Sequence, residues 1–266
     1  MSDIHPTAIV GAGAEIGRDV SIGPYAVVDG DARLGDGVVL GSHVVVSGRT
    51  SIGAESRVHP FAAIGGPPQD LTYDGEPNGV AIGAGCVIRE HVTVHAGTAR
   101  GRGVTEIGDK CLLMAASHVG HDCRLGEGVI VSNNVMLGGH TTVGDHVNIG
   151  GAAAIRQRLR IGDYAFISGI AGVSKDVLPF GYVIGYRGRL DGLYLIGLKR
   201  SGFSRAEIQE LAACYRTLFA EEDTFQERLE RLKAEAPAGG PVARVIAFIE
   251  VGPGRPLLTP FEQRDD

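Results

Sequence analysis

Two short stretches hold residue types that do proton chemistry. In Ser117-His118-Val119-Gly120-His121-Asp122-Cys123 an imidazole has a carboxylate as its chain neighbour; in Leu137-Gly138-Gly139-His140 another imidazole follows two glycines. Histidine titrates near neutral pH, so it takes and returns a proton at modest cost, and an adjacent carboxylate orients the ring or stabilises its charged form. Such a pair suits a general base. Two other readings compete. The histidines are plain surface residues, or His118, His121 and His140 supply three nitrogens to a zinc ion, although nothing in their spacing converges them tetrahedrally. A basic pair, Lys199-Arg200, either meets a diphosphate or is simply solvated; there is no P-loop signature.

What must position these residues is a six-residue rhythm. From Val10 every sixth residue is aliphatic through Ile16, Ile22, Val28, Leu34, Leu40, Val46, Ile52, Val58 and Ile64; the count resumes in phase at Ile82, Ile88 and Val94. It slips by one and then runs from Ile107 through Leu113, Val119, Leu125, Val131, Leu137, Val143, Ile149, Ile155, Ile161 and Ile167 to Val173. Period six is neither helical nor simply extended. It fits a short strand and a corner, repeated, with the aliphatic side chain inward. Three edges make one coil of a parallel β-helix, and eight or nine coils stacked at about 4.8 Å give a prism about 40 Å tall. His121 and His140 are one coil plus one residue apart, so stacking brings them to nearly the same face.

The rhythm stops at residues 66–81 and 98–106, stretches rich in Gly, Asp and Pro or Arg that read as loops leaving the coil, where a solenoid commonly builds its site. After about residue 185 the pattern becomes helical. Ser204 with Glu207 forms a capping box ahead of Ile208, Leu211, Ala212, Tyr215, Leu218 and Phe219; TFQERLERLKAEA and PVARVIAFIEV read as two further helices. The expected class is mainly β, with a hexapeptide-repeat β-helix over residues 1–185 and a C-terminal α-helical domain over 186–266.

Composition narrows the function classes. The chain has 266 residues, 41 of them Gly, no Trp, and a net charge of −6. The acidic balance argues against a nucleic-acid binder. Cys86, Cys111, Cys123 and Cys214 form no paired motif and read as free thiols of a reducing compartment. The N-terminus lacks a signal-peptide pattern, and no apolar run is long enough to span a membrane.

The motifs IHPTAIV, SHVVVSGRTSIG, QDLTYDGEP, IREHVTVHAGT, HVGHDC, LGGH and GLKRSGFS resemble, in order and spacing over nearly the whole chain, the UDP-N-acetylglucosamine acyltransferase family of lipid A biosynthesis. The resemblance implies a left-handed coil and a cytoplasmic homotrimer with sites between neighbouring prisms. It also implies transfer of a (3R)-hydroxyacyl chain from acyl carrier protein to the 3-hydroxyl of a UDP-sugar, without metal or other cofactor. Residue by residue it makes His121 the catalytic base, Asp122 its orienting partner and the Gly139 N–H the oxyanion donor. His118 and His140 become site histidines, and Gln69 and Asp70 substrate contacts. Gln157 and Arg200 become nucleotide-sugar contacts, and Gly169 an acyl-chain ruler whose small size implies a donor of about twelve to fourteen carbons, each buried CH₂ being worth about 0.8 kcal/mol. A thioester is already activated, so a base and an oxyanion donor suffice.

The chain departs from the common pattern at Thr72, Arg156, Tyr186, Tyr194 and Ile196, all on the acceptor and nucleotide side. An N-acyltransfer to a 3-amino UDP-sugar is therefore one alternative, and a zinc enzyme of the hexapeptide-repeat carbonic anhydrase type or a non-catalytic scaffold are others. The related N-acyltransferase of the next acylation step usually carries an extra N-terminal domain, which repeats beginning by Val10 leave no room for.

Overall fold

The computed structural model describes residues 2–236, 239–252 and 255–260. Strands of two to five residues wind into a three-sided prism whose faces are sheets of eleven, nine and eight strands. Successive coils pair in parallel and in register, as Asp3 with Ser21, Ile9 with Val27 and Glu15 with Arg33. Every aliphatic residue of the six-residue rhythm from Ile22 to Val173 is buried; only Val10 and Ile16, in the first coil, are partly exposed because nothing lies beneath them. Each buried side chain of this kind contributes about 1.5–3 kcal/mol.

A second inward position, two residues before each aliphatic one, escaped the sequence reading. It holds small or β-branched residues such as Ala26, Val44, Ala62, Val129 and Ala153, and also Cys86, Cys111 and Cys123. The core is too narrow for two large side chains per strand, so these thiols serve as compact filler. All four cysteines are free and buried.

The corner three residues after the aliphatic position is left-handed (Tyr25, His43, Phe61, His91, Ala116, Asp122, Asn134 and His140 all have positive φ), and this reverses the chain within a few residues. On the edge that carries Tyr25, His43, Phe61 and His91 the rings stack one above another.

The interruptions obey the same arithmetic. Ile64 pairs with Val94, a multiple of six further on, whereas Val94 pairs with Val119, which is not, so the rhythm holds across the first loop and slips across the second. The loops are shorter than expected, because the flanking strands extend to Gly66, begin again at Gly79, and begin again at Val104. Both loops leave from the edge between the nine- and eight-stranded faces.

The solenoid ends in a hairpin, Gly181–Ile184 against Arg189–Leu193, the one antiparallel pair among the described strands. Helices follow: α1 (Leu195–Arg200), α2 (Arg205–Leu218), α3 (Phe225–Glu235) and α4 (Gly240–Glu250). The Ser204–Glu207 capping box forms as the sequence predicts, and a second, Thr224–Glu227, starts α3. Helix α1 was not foreseen; it is too short for a periodic signal. The buried Tyr215 hydroxyl of α2 donates to the Pro179 carbonyl at 2.6 Å and ties the helices to the last coil.

Candidate active site

His121 and Asp122 sit at the corner after the strand His118–Val119, and Gly139 and His140 at the same corner one coil on, after Met136–Leu137. The His140 N–H donates to the His121 carbonyl at 2.8 Å, and the two rings meet edge to face with centroids 4.9 Å apart. Asp122 and His140 adopt φ of 58° and 59°. The turn swings both side chains toward the loop that leaves at residue 96.

That loop builds a cage for Asp122. Its carboxylate, fully buried, accepts from the Thr98 N–H, the Thr98 hydroxyl at 2.7 Å and the Arg102 N–H at 2.7 Å, while the Asp122 N–H donates to Thr105 Oγ1 at 2.8 Å. The fourth partner is His121 Nδ1, 2.9 Å from Oδ2. Gly101 is required here: a Cβ would lie 2.3 Å from the Asp122 carboxylate. Burial pushes the carboxyl up, but the hydrogen bonds from His121, Thr98 and Arg102 outweigh it and hold Asp122 below its ordinary range. An ionised carboxylate only accepts, so in the neutral ring the proton belongs on His121 Nδ1 and Nε2 keeps the lone pair. This is the tautomer a base needs. The loop reads from the sequence as site-building, but Thr98, Gly101, Arg102 and Thr105 have no signal of their own in it, since backbone N–H groups carry none and the two threonine hydroxyls meet Asp122 only in the folded loop.

Nε2 of His121 lies directly above Gly139, where a Cβ would stand 2.5 Å away. Among the described residues no backbone carbonyl accepts the Gly139 N–H. His118 Nδ1 is 2.8 Å from Thr93 Oγ1, and its ring meets His95 edge to face at 5.1 Å. Burial lowers the pKa of His118, His95 and His140; at His140, Asp122 opposes the shift and Arg158, 3.3 Å from its Nε2, adds to it.

A folded-state pKa below the ordinary 6.5 means that the unfolded chain binds these protons first. Stability is therefore full above about pH 6.5 and declines as pH falls below it. The thermal midpoint is expected to drop between pH 7 and pH 5, with a shallower slope in His118→Asn.

A groove of about 1380 Å³ runs down the nine-stranded face from Gln69, His95, His118 and His121 past Met136, Gln157 and Ser174 to Arg189. Gln69 lines its upper end. Asp70 carries Thr72 against it, whose N–H and hydroxyl reach Oδ1 at 2.8 and 2.9 Å, and these bonds, with smaller help from His121 and Arg100, lower the Asp70 pKa. Two residues that depart from the family pattern, Arg156 and Tyr186, line the groove; Tyr194 instead stacks on Phe166 at 4.3 Å, and Ile196 is exposed. Arg200 in α1 and Gly169, which follows the strand Phe166–Ile167, are not among this groove's lining residues. The lining residues Ser174, Lys175, Arg187 and Arg189 escaped the sequence reading, having no motif of their own. The atoms of His121, Asp122 and His140 fall within 4.8 Å of one another, but His118, named in the zinc alternative, is not one of that trio.

A β-helix of six-residue repeats with an imidazole–carboxylate pair at a corner above a glycine N–H defines the class of hexapeptide-repeat acyltransferases. The comparisons agree. Residues 105–139 match the bacterial transferase hexapeptide model, and residues 176–257 match the second domain of UDP-N-acetylglucosamine O-acyltransferase. The acyl-[acyl-carrier-protein]–UDP-N-acetylglucosamine O-acyltransferase of Azorhizobium caulinodans is 48% identical over 257 residues, 97% of this chain and 95% of the relative. That of Myxococcus xanthus is 48% identical over 94% of this chain and 97% of its own. The crystal structure of the Moraxella catarrhalis UDP-N-acetylglucosamine O-acyltransferase superposes with a TM-score of 0.92 at 37% identity, covering 96% of this chain and 99% of that one. The chain belongs to the acyl-[acyl-carrier-protein]–UDP-N-acetylglucosamine O-acyltransferase family, and its fold is the left-handed parallel β-helix of that family.

Proposed function

We propose that this chain transfers a (3R)-hydroxyacyl group from acyl carrier protein to the 3-hydroxyl of UDP-N-acetylglucosamine, with His121 as the base. The observation that carries the roles is the hydrogen bond from His121 Nδ1 to a buried, caged Asp122, which leaves Nε2 as acceptor over Gly139. His121 Nε2 takes the proton of the acceptor hydroxyl as its oxygen attacks the thioester carbonyl. The carbonyl oxygen gathers negative charge and the Gly139 N–H donates to it. When the tetrahedral intermediate collapses, the C–S bond breaks and the proton on Nε2 passes to the departing sulfur. Asp122 holds the imidazolium that forms in between; His118 and Gln69 line the groove on the acceptor side, and His140 and Asp70 stand beside His121 as further acceptor contacts. No metal or organic cofactor enters this scheme.

Gln157 lines the groove, whereas Arg200, in α1, and Gly169, after the strand Phe166–Ile167, are not among its lining residues. A homotrimer with grooves between prisms reconciles this, since a neighbouring chain then brings its own Arg200 to the nucleotide and its Gly169 to the acyl chain. No helix among the described residues is long and apolar enough to cross a membrane, and with four free thiols we place the enzyme in the cytoplasm.

The test is an acyl-transfer assay with carrier-bound (3R)-hydroxyacyl donors of graded length and UDP-N-acetylglucosamine, on material whose solution mass corresponds to three chains. Transfer is expected to peak at about twelve to fourteen carbons, and Gly169→Met is expected to move the peak to shorter donors. No transfer to the 3-hydroxyl sugar overturns the function; an unmoved peak in Gly169→Met overturns the ruler.

A further inference from the structure

The lower end of the groove has a wall that comes from the far end of the chain. Residues 255–260 return from α4 to the solenoid, and Leu258 and Thr259 line the groove beside Ser174, Lys175, Arg187 and Arg189. This strap is fastened at Asp176. The Asp176 N–H donates to the Pro256 carbonyl at 3.1 Å, and its carbonyl accepts the Leu258 N–H at 2.8 Å. On the other side of the groove end, the Leu190 N–H donates to the Thr259 carbonyl at 3.1 Å.

The Asp176 carboxylate is itself fully buried and held by Arg160, whose N–H and Nε reach its two oxygens at 2.9 and 2.8 Å. Arg160 Nη1 also donates to the Phe248 carbonyl of α4 at 2.8 Å, and its guanidinium lies over the Phe248 ring at 4.1 Å. At Gly252 a Cβ would lie 2.3 Å from Arg160 Nη2, so the chain is bare there to let the guanidinium through. One arginine thus clamps the last coil, α4 and the strap. Arg160 lies two coils and Asp176 three coils beyond the level of His121, about 10–15 Å away, too far to touch the reacting atoms.

What the wall faces is distinctive. Arg156, Lys175, Arg187 and Arg189 line the groove, and among its described lining residues there is no Asp or Glu, in a chain of net charge −6. Such an end selects an anion. We propose that residues 255–260 form a working wall of a phosphate-binding end of the groove, and that Arg160 and Asp176 are positioning residues that hold it in place. This rests on the acyl-transfer reading, in which both reactants carry phosphate: the diphosphate of the UDP-sugar and the phosphodiester of the carrier's prosthetic arm.

The experiment uses the full chain. Arg160→Lys keeps the charge but loses the planar fork and the stacking on Phe248; Thr259→Ala and Lys175→Ala alter the groove end without touching the clamp. KM is measured separately for the UDP-sugar and for the acyl carrier, with kcat and the thermal midpoint, at a temperature where each variant is folded. A rise in one KM of about tenfold, with kcat changed less than about threefold, is expected in Arg160→Lys and in Lys175→Ala. The KM that rises identifies which phosphate is bound. A lowered thermal midpoint with both KM values unchanged would make the clamp merely structural and overturn the proposal, as would a fall in kcat alone. Wild-type chain inactive in acyl transfer would instead overturn the reading beneath it.

Discussion

Replacing His121 by alanine is expected to lower turnover about 10²–10⁴-fold, the usual worth of a positioned base. The loss should fall on kcat. The His121 side chain is hydrogen-bonded at Asp122, while the bond that stacks its corner on the next coil, from the His140 N–H to the His121 carbonyl, does not involve the side chain. The fold is therefore expected to persist, with a thermal midpoint close to that of the parent. Removing the ring does strip one of four hydrogen bonds from the buried Asp122 carboxylate, but Thr98 and Arg102 still supply the other donors. Steady-state kinetics beside a thermal melt checks this: turnover within a factor of a few of wild type would refute the assignment.

Gly139→Ala should be nearly as damaging, for a different reason. The Gly139 backbone needs no positive φ, so alanine meets no conformational penalty. Its methyl group would nonetheless stand 2.5 Å from His121 Nε2. The ring is pinned at Nδ1 by a caged carboxylate and cannot slide away without giving up that bond. One added carbon thus forces a choice between the base and its orienting partner, and it also shields the amide that faces the developing oxyanion. A fall in kcat of about 10²–10³-fold is expected, the range seen for loss of one oxyanion donor, with little change in the thermal midpoint. Unchanged kcat in a folded Gly139→Ala would remove Gly139 from the site.

The amino-acid sequence by itself determined the architecture. A period of six over 25 aliphatic positions points to a coil of three edges with these side chains inward, and all of them from Ile22 onward are buried; the hand of the coil is not in the spacing. It also determined that HVGHD and LGGH stack, since residues a coil apart must lie above one another, and it marked the start of α2 through Ser204 and Glu207. These are local or strictly periodic properties, and they need no knowledge of what packs across the molecule.

The tertiary structure alone decided the rest. Whether His121 is an acceptor at Nε2 depends on four donors converging on Asp122, three of them from a loop whose path no periodicity sets. That Gly139 lies beneath the base follows from the corner it occupies rather than from residue type, and neither Gly169 nor Arg200 in α1 is among the residues that line the groove. The partnership of Arg160 with Asp176 and Phe248 joins positions up to 88 residues apart along the chain, and neither the arginine nor the aspartate is distinguished in its own neighbourhood. Charge burial and hydrogen-bond convergence are properties of assembled space; a sequence states which groups exist, and only the packed coil, loops and strap state which of them face one another.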